Sequence, residues 1–176
     1  MFPKAHAAAY VMSAIRLGWY KVHYPMEFYA AFLSVAPGGF DAEIVMGGRE
    51  VIARTIQEIE EKDKKDITQK DAEQVTTLLL VQECMARGIR FLPVDLYRSH
   101  SKYFLPEDGK IRMPFSAIAG LGETAAENII RAREASEIFS IEDLRQRAGL
   151  GKSIIELLRG CGALKGLSET NQLTFF

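Results

Sequence analysis

The chain has 176 residues, 48% of them hydrophobic and 26% charged, with a net charge of −1 at neutral pH. That length and composition support one sizeable core or two small ones and exclude bulk disorder. Apolar runs such as 7–12 and 77–81 fall far short of the roughly 20 residues that cross a bilayer, and no charged-then-apolar leader opens the chain, so a cytoplasmic protein is expected. A near-neutral chain has no broad basic surface, so contact with nucleic acid has to come from local geometry.

The opening FPKAHAAAYVMSAIRLGWYKVHY places Pro3 where a first helical turn tolerates it, and strong helix formers follow until Pro25. Pro25 restarts a helix whose expected buried stripe is Phe28, Tyr29, Phe32 and Leu33. Pro37, Gly38 and Gly39 form a break. Ile52, Ile56 and Ile59 then mark an amphipathic helix, and EEKDKKD is a solvated connector. Thr68 with Asp71 three residues later is a capped start. Val75, Leu78, Leu79, Gln82 and Met85 follow at helical spacing, and Gly88 supplies the stop. Charge is uneven: Lys4, Arg16 and Lys21 face only Glu27 within residues 1–36, whereas residues 37–95 hold eight basic and twelve acidic side chains.

From Ile89 the pattern shortens and turns β-branched and aromatic, with Pro-Glu-Asp-Gly joining two strand-like runs. A domain boundary is expected at about residue 95. Helical pattern resumes from Phe115 to Leu167, punctuated by glycines, and 168–176 form a polar stem with an apolar tip. The expected fold is mainly α: a helical N-terminal segment, a short β-hairpin region, then a tandem helix-hairpin-helix unit and a flexible tail. Cys84 and Cys161 stand alone, without the Cys/His spacing of a zinc site, so neither a metal nor another cofactor is expected within the chain.

The chemistry-bearing signal is a repeat. Ile118-Ala119-Gly120-Leu121-Gly122 precedes a helix containing Thr124, Ala125, Ala126, Ile129 and Ile130, and Ala148-Gly149-Leu150-Gly151-Lys152 follows a matching helix, Ser140 to Arg147. Apolar-Gly-apolar-Gly before a helix lets the backbone turn tightly and approach a phosphate, while the next helix offers unpaired N–H groups and a partial positive charge. Phe115 to Lys165 holds seven basic and seven acidic residues. Contact is therefore expected through the backbone at Gly120, Leu121, Gly122, Thr124, Gly149, Leu150 and Gly151, assisted by Lys152 and by Arg147, with weak sequence preference. Gly151-Lys152-Ser153 also matches the end of G-x-x-x-x-G-K-[ST], but Gln146 occupies the first glycine position and a helix, not a strand, lies upstream, so a nucleotide-binding P-loop is rejected.

FPKAHAAAY, KVHYPMEFYAAFLS, VDLYRS and IAGLGETAAENIIRARE resemble segments of C-family bacterial DNA polymerase III α subunits, most closely the PolC type, and the resemblance covers essentially the whole chain. It implies that residues 1–95 are the last part of the polymerase fingers, near incoming dNTP and template, and that 96–165 hold the primer-template duplex. It further implies that the Mg²⁺-binding aspartates lie in a palm domain outside this chain, so that the chain alone does not polymerise, although the family is a nucleotidyltransferase. In that setting Lys4, His6 and Tyr10 would meet the nucleotide. By residue type alone, His6 and Tyr10 read as a helix-packing pair, and the nucleotide role comes from the resemblance. Gln172, Leu173, Phe175 and Phe176 resemble the Gln-Leu-x-Leu-Phe sequence with which bacterial replication proteins bind the sliding clamp, with Phe175 in place of leucine. The chain ends directly after the hairpins, as the PolC type does. A free-standing, non-catalytic adaptor joining duplex DNA to the clamp is the alternative, and a purely structural helical protein is the third.

Overall fold

The computed structural model describes residues 3–35 and 38–170. Among them are eight α-helices and three short strands in the order α1 (Lys4–His23), α2 (Pro25–Val35), α3 (Ala42–Met46), α4 (Arg49–Glu60), α5 (Gln69–Ala86), β1 (Arg90–Leu92), β2 (Leu105–Glu107), β3 (Lys110–Arg112), α6 (Glu123–Ala135), α7 (Ile141–Ala148) and α8 (Lys152–Gly160). The mainly helical class expected from the pattern is the one observed.

Local chemistry accounts for most of the boundaries. Thr68 and Asp71 form a full capping box at the start of α5, and Gly88 ends it with φ +83°, donating to Met85 O at 3.0 Å. Asp41 caps α3 by accepting from Glu43 N–H, a helix hidden in the sequence because five residues show no periodicity. The connector over 60–66 is solvent-exposed throughout. Asp108 and Gly109, both at positive φ, make the tight turn between β2 and β3, so Pro106 and Glu107 belong to the strand and not to the turn. β3 pairs antiparallel with β2 and parallel with β1. The parallel pairing is nonlocal and leaves no mark in a hairpin-style reading.

Two expected stripes are rotated in the structure. In α2 the buried residues are Tyr29, Ala30 and Leu33, and Phe32 is 45% exposed. In α5 they are Thr77, Leu78, Val81 and Cys84, and Leu79 is 50% exposed. Both helices meet neighbours on a face set by α1, α4 and the sheet, which periodicity within one helix cannot supply.

One core runs from Tyr29 to Leu164 and is continuous across residue 95. Ser34 Oγ accepts from Phe104 N–H at 2.9 Å, Arg133 donates to Leu96 O at 2.8 Å, and Tyr97 OH donates to Ile138 O at 3.2 Å. The α1 helix stands outside this core, with no buried residue. It is tied to the body at its C-terminal end, where Lys21 pairs with Glu83 at 2.8 Å and lies 5.8 Å from the Tyr29 ring centroid. Burial and the neighbouring Glu83 carboxylate push the Tyr29 phenol up to about 12.

Candidate nucleic-acid interface

The two glycine hairpins fold alike. Gly120 has φ +84° and Gly149 φ +62°, a left-handed conformation that a side chain disfavours. The next residue, Leu121 or Leu150, is buried. The second glycine is then the N-cap of a helix: Gly122 (φ −72°, ψ 156°) for α6 and Gly151 (φ −71°, ψ 162°) for α8. From each first glycine the exposure sequence is the same: exposed, buried, three exposed, half-buried, buried. Ala126 and Ile129 in one copy take the places of Ile155 and Leu158 in the other. The leucines are therefore anchors, and the surface of each hairpin is its backbone.

The approaches to the two copies differ. Hairpin 2 follows the full helix α7, whereas hairpin 1 follows a short 3-10 turn, Phe115–Ala117, at the start of the span whose pattern reads as glycine-punctuated helix. Gly120 lies close enough to α8 that a Cβ there would sit 3.4 Å from Leu157 Cδ1, so the copies pack side by side.

Neither α6 nor α8 has a side-chain cap, unlike α3, α5 and α7, which are capped by Asp41, Thr68 and Ser140. The first-turn N–H groups of α6 and α8 thus stay available to an outside acceptor. Gly122 and Gly151 hold ordinary negative φ, and a Cβ at Gly122 would meet nothing within 4 Å, at Gly151 only Ser153 Oγ at 3.8 Å. Nothing within the described fold requires a glycine at either N-cap. Charge separates the copies: the first turn of α6 carries Glu123, while that of α8 has no acidic residue and begins with Lys152. Thr124 is exposed in the first turn of α6.

The arginines and lysines divide into engaged and free. Arg112 is buried and makes a two-point contact with Glu107, Nε to Oε2 at 2.8 Å and Nη2 to Oε1 at 2.6 Å. The same carboxylate receives Arg98 at 2.6 Å. The Arg112 hydrogen bond chiefly, helped by Arg98, holds Glu107 down to about 2. Arg147, expected to assist at the phosphate, is turned inward: it donates to Ala132 O, Ser136 O and Glu137 O and pairs with Asp143. That corrects the sequence expectation for Arg147, because three backbone carbonyls and a carboxylate occupy its guanidinium.

Among the described residues from 96 onward, Lys102, Lys110, Arg145, Lys152 and Lys165 make no side-chain hydrogen bond or ion pair. Lys102 went unnoticed in the sequence. It lines a cleft of about 290 Å³ together with Ser101, Ser116 and Glu123 of hairpin 1. Its loop is held by Lys102 and Tyr103 N–H groups donating to His100 Nδ1 at 3.0 and 3.1 Å. Phe115 N–H and Ser116 N–H donate to His100 O and Ser101 O, which joins the loop to the turn entering hairpin 1.

On α1, the His6 and Tyr10 rings meet edge-on with centroids 4.6 Å apart. Lys4, two residues before His6, lies roughly 200° around the helix from it, so the structure does not bring the three onto one face. The tail residues Gln172, Leu173, Phe175 and Phe176 lie outside the described residues. Among the described residues no group of His, Cys, Asp or Glu side chains could hold a metal ion, and no helix is long and apolar enough to cross a membrane.

A family model described as a helix-hairpin-helix motif matches residues 88–173, a span that contains both hairpins. DNA polymerase III PolC-type of Thermotoga petrophila is 44% identical over 176 residues, covering 100% of this chain and 13% of that protein. The homonymous proteins of Streptococcus sanguinis and Halalkalibacterium halodurans are 42% and 44% identical, with 100% of this chain and 12% of each relative covered. The chain is a homologue of one segment of PolC-type DNA polymerase III. It spans about an eighth of the length of the curated relatives it matches. Both glycine hairpins fall within the span matched by the helix-hairpin-helix model, and the described residues supply no metal-holding cluster of their own.

Proposed function

We propose that this segment grips the primer-template duplex of a replicative DNA polymerase through its two glycine hairpins, presents α1 to the incoming dNTP, and tethers to the sliding clamp through its last residues. The observation that carries the duplex grip is the repeated geometry: a left-handed glycine, a buried leucine, and a glycine N-cap with no side-chain cap, twice, packed together. Lys152 adds charge directly at hairpin 2. Lys102 adds it beside hairpin 1, where Glu123 opposes a phosphate. In this reading residues 1–95 complete the polymerase fingers, 96–165 bind duplex, and 166–176 carry the clamp contact. Mg²⁺ is held in a palm outside this chain, and the assembly works in the cytoplasm.

Lys4, His6 and Tyr10 are the nucleotide contacts in this reading, with Lys4 reaching from its own side of α1 as a mobile point charge. That same side of α1, C-terminal to Lys4, carries Val11, Ile15, Trp19 and Val22, all exposed, and packs against the remaining polymerase domains. An exposed apolar stripe of this extent marks an interaction surface. At the tail, Leu173 and the two phenylalanines enter an apolar groove on the clamp and the Gln172 amide fixes register. Burial contributes roughly 1.5 to 3 kcal/mol per side chain, offset in part by ordering the tail, which places the contact in the micromolar range. Joined to duplex binding, even that affinity confers processivity through effective concentration.

The test is fluorescence anisotropy of the full chain on labelled primer-template, with and without clamp. Binding that weakens on salt addition and tightens when clamp is loaded is expected. No binding to duplex at 50 mM salt would remove the reading. Clamp pull-down unchanged by Gln172→Ala with Phe176→Ala would remove the tether alone. Primer extension by the isolated chain with Mg²⁺ and four dNTPs is expected to be absent.

A further inference from the structure

Arg147 sits two residues before the left-handed Gly149 that opens hairpin 2, yet its guanidinium points away from that hairpin's surface. Nη2 donates to Ala132 O and, at 3.0 Å, to Ser136 O; Nη1 donates to Glu137 O at 2.8 Å and to Asp143 Oδ2 at 3.0 Å. Ala132 lies in the last turn of α6, Ser136 is that helix's C-cap, and Glu137 opens the linker. Asp143 lies in the first turn of α7, where its Oδ2 also accepts from Phe139 N–H at 3.2 Å. One planar fork therefore collects carbonyls that a helix end leaves without partners and ties them to the helix leading into hairpin 2. Hairpin 1 is the other end of the same α6. Arg145, two residues earlier on α7, is exposed and unpaired, so the inward course of Arg147 is specific to it.

We infer that Arg147 is a positioning residue that sets the separation and relative orientation of the two hairpins, so that both can engage phosphates of one duplex at once. The inference rests on the duplex-binding reading given above and goes beyond it, because it assigns to a basic residue a role in DNA affinity that involves no contact with DNA. Two weak phosphate sites on one rigid body gain from each other through effective concentration only while their spacing matches the duplex. A guanidinium holds several acceptors in fixed directions. An ammonium is a single point donor and cannot span them. Arg147→Lys thus keeps the charge and removes the geometry.

The experiment measures duplex affinity across a potassium chloride series for the full chain and for Arg147→Lys, Asp143→Asn and Lys152→Gln. A nitroxide pair at Thr124→Cys and Ser153→Cys, in a Cys161→Ser background, reports the distance between the hairpins without DNA. Arg147→Lys is expected to lower affinity about tenfold, to leave the slope of log affinity against log salt unchanged, and to broaden the distance distribution. Lys152→Gln is expected to do the reverse: a slope shallower by about 0.9, the signature of one lost phosphate contact, with an unchanged distance distribution. Asp143→Asn, which weakens one of the four contacts, is expected to lie between wild type and Arg147→Lys in both readouts, and it decides the matter alone if Arg147→Lys does not fold. A shallower slope for Arg147→Lys would make it a phosphate contact and overturn the inference, as would an unbroadened distribution. Wild-type chain that binds no duplex sinks the duplex reading instead, and the nitroxide distances still report whether Arg147 holds the hairpins.

Discussion

Replacing the N-cap glycines with serine should move stability and DNA affinity in opposite directions. Gly122 and Gly151 have negative φ and extended ψ, the conformation of an ordinary N-cap, and open space where a side chain would begin. Serine is a better N-cap than glycine by a few tenths of a kcal/mol. Removing a glycine from the unfolded chain adds about 0.4 to 1 kcal/mol where the native backbone accepts the new residue. Each of Gly122→Ser and Gly151→Ser should therefore stabilise the chain by about 1 kcal/mol, which for a domain of this size raises the unfolding midpoint by about 2 to 4 °C. The same hydroxyl satisfies a first-turn N–H and stands where a phosphate would approach. A hydrogen bond to a charged group contributes roughly 1.5 to 3 kcal/mol, so duplex affinity should fall about 10- to 100-fold per hairpin. Hairpin 2 should show the larger loss, since Glu123 already weakens hairpin 1. Thermal melts by circular dichroism and anisotropy titrations on the same samples decide it. A higher melting point with unchanged affinity would refute phosphate contact at that hairpin, and a lower melting point would refute the assignment of these glycines to function rather than to the fold.

Other outcomes follow from the same structure. Thr68→Ala removes half of the capping box of α5 and should cost about 1 kcal/mol in chemical denaturation, with no change in duplex binding. Glu107, held down to about 2 against an ordinary value of 4.5 by Arg112 and Arg98, contributes stability that is complete above pH 4.5 and lost as pH falls toward 2. Urea midpoints should drop across that window, and Glu107→Gln should flatten the drop; an equally steep acid limb in the variant would contradict the pairing. Leu158→Ala, which empties a fully buried position under hairpin 2, should cost 2 to about 5 kcal/mol. Ile15→Lys on the 65% exposed face of α1 should leave the isolated chain within about 0.5 kcal/mol of wild type, while blocking association with the remainder of a PolC-type polymerase in a co-purification assay.

Much of the fold was legible because its causes are local. The Thr68 cap, the stop at Gly88, the solvated connector and both glycine hairpins depend on residues within a few positions of one another, where conformational preference and hydrogen bonding act without help from distant chain. The P-loop could be rejected for the same reason, and α7 indeed precedes Gly151. The exposed sides of Phe32 and Leu79 were not legible, nor was the parallel pairing of β1 with β3, because each depends on which distant element arrives to cover a face. Lys4 separates from His6 and Tyr10 by helical phase alone, a geometric consequence available from spacing once α1 is continuous.

The sharpest division lies in the basic residues. A sequence shows that seven of them fall between Phe115 and Lys165, and that the glycine pairs could bring backbone to phosphate. It cannot show which charges are already taken. Arg147 and Lys152 look alike as neighbours of the second hairpin; the tertiary fold alone brings the carbonyls of Ala132, Ser136 and Glu137 to one of them and leaves the other in solvent. Composition and spacing determine what a segment can form, since those preferences act over a few residues. The partner each side chain meets is settled only when separate elements pack together, here across 10 to 15 residues of chain.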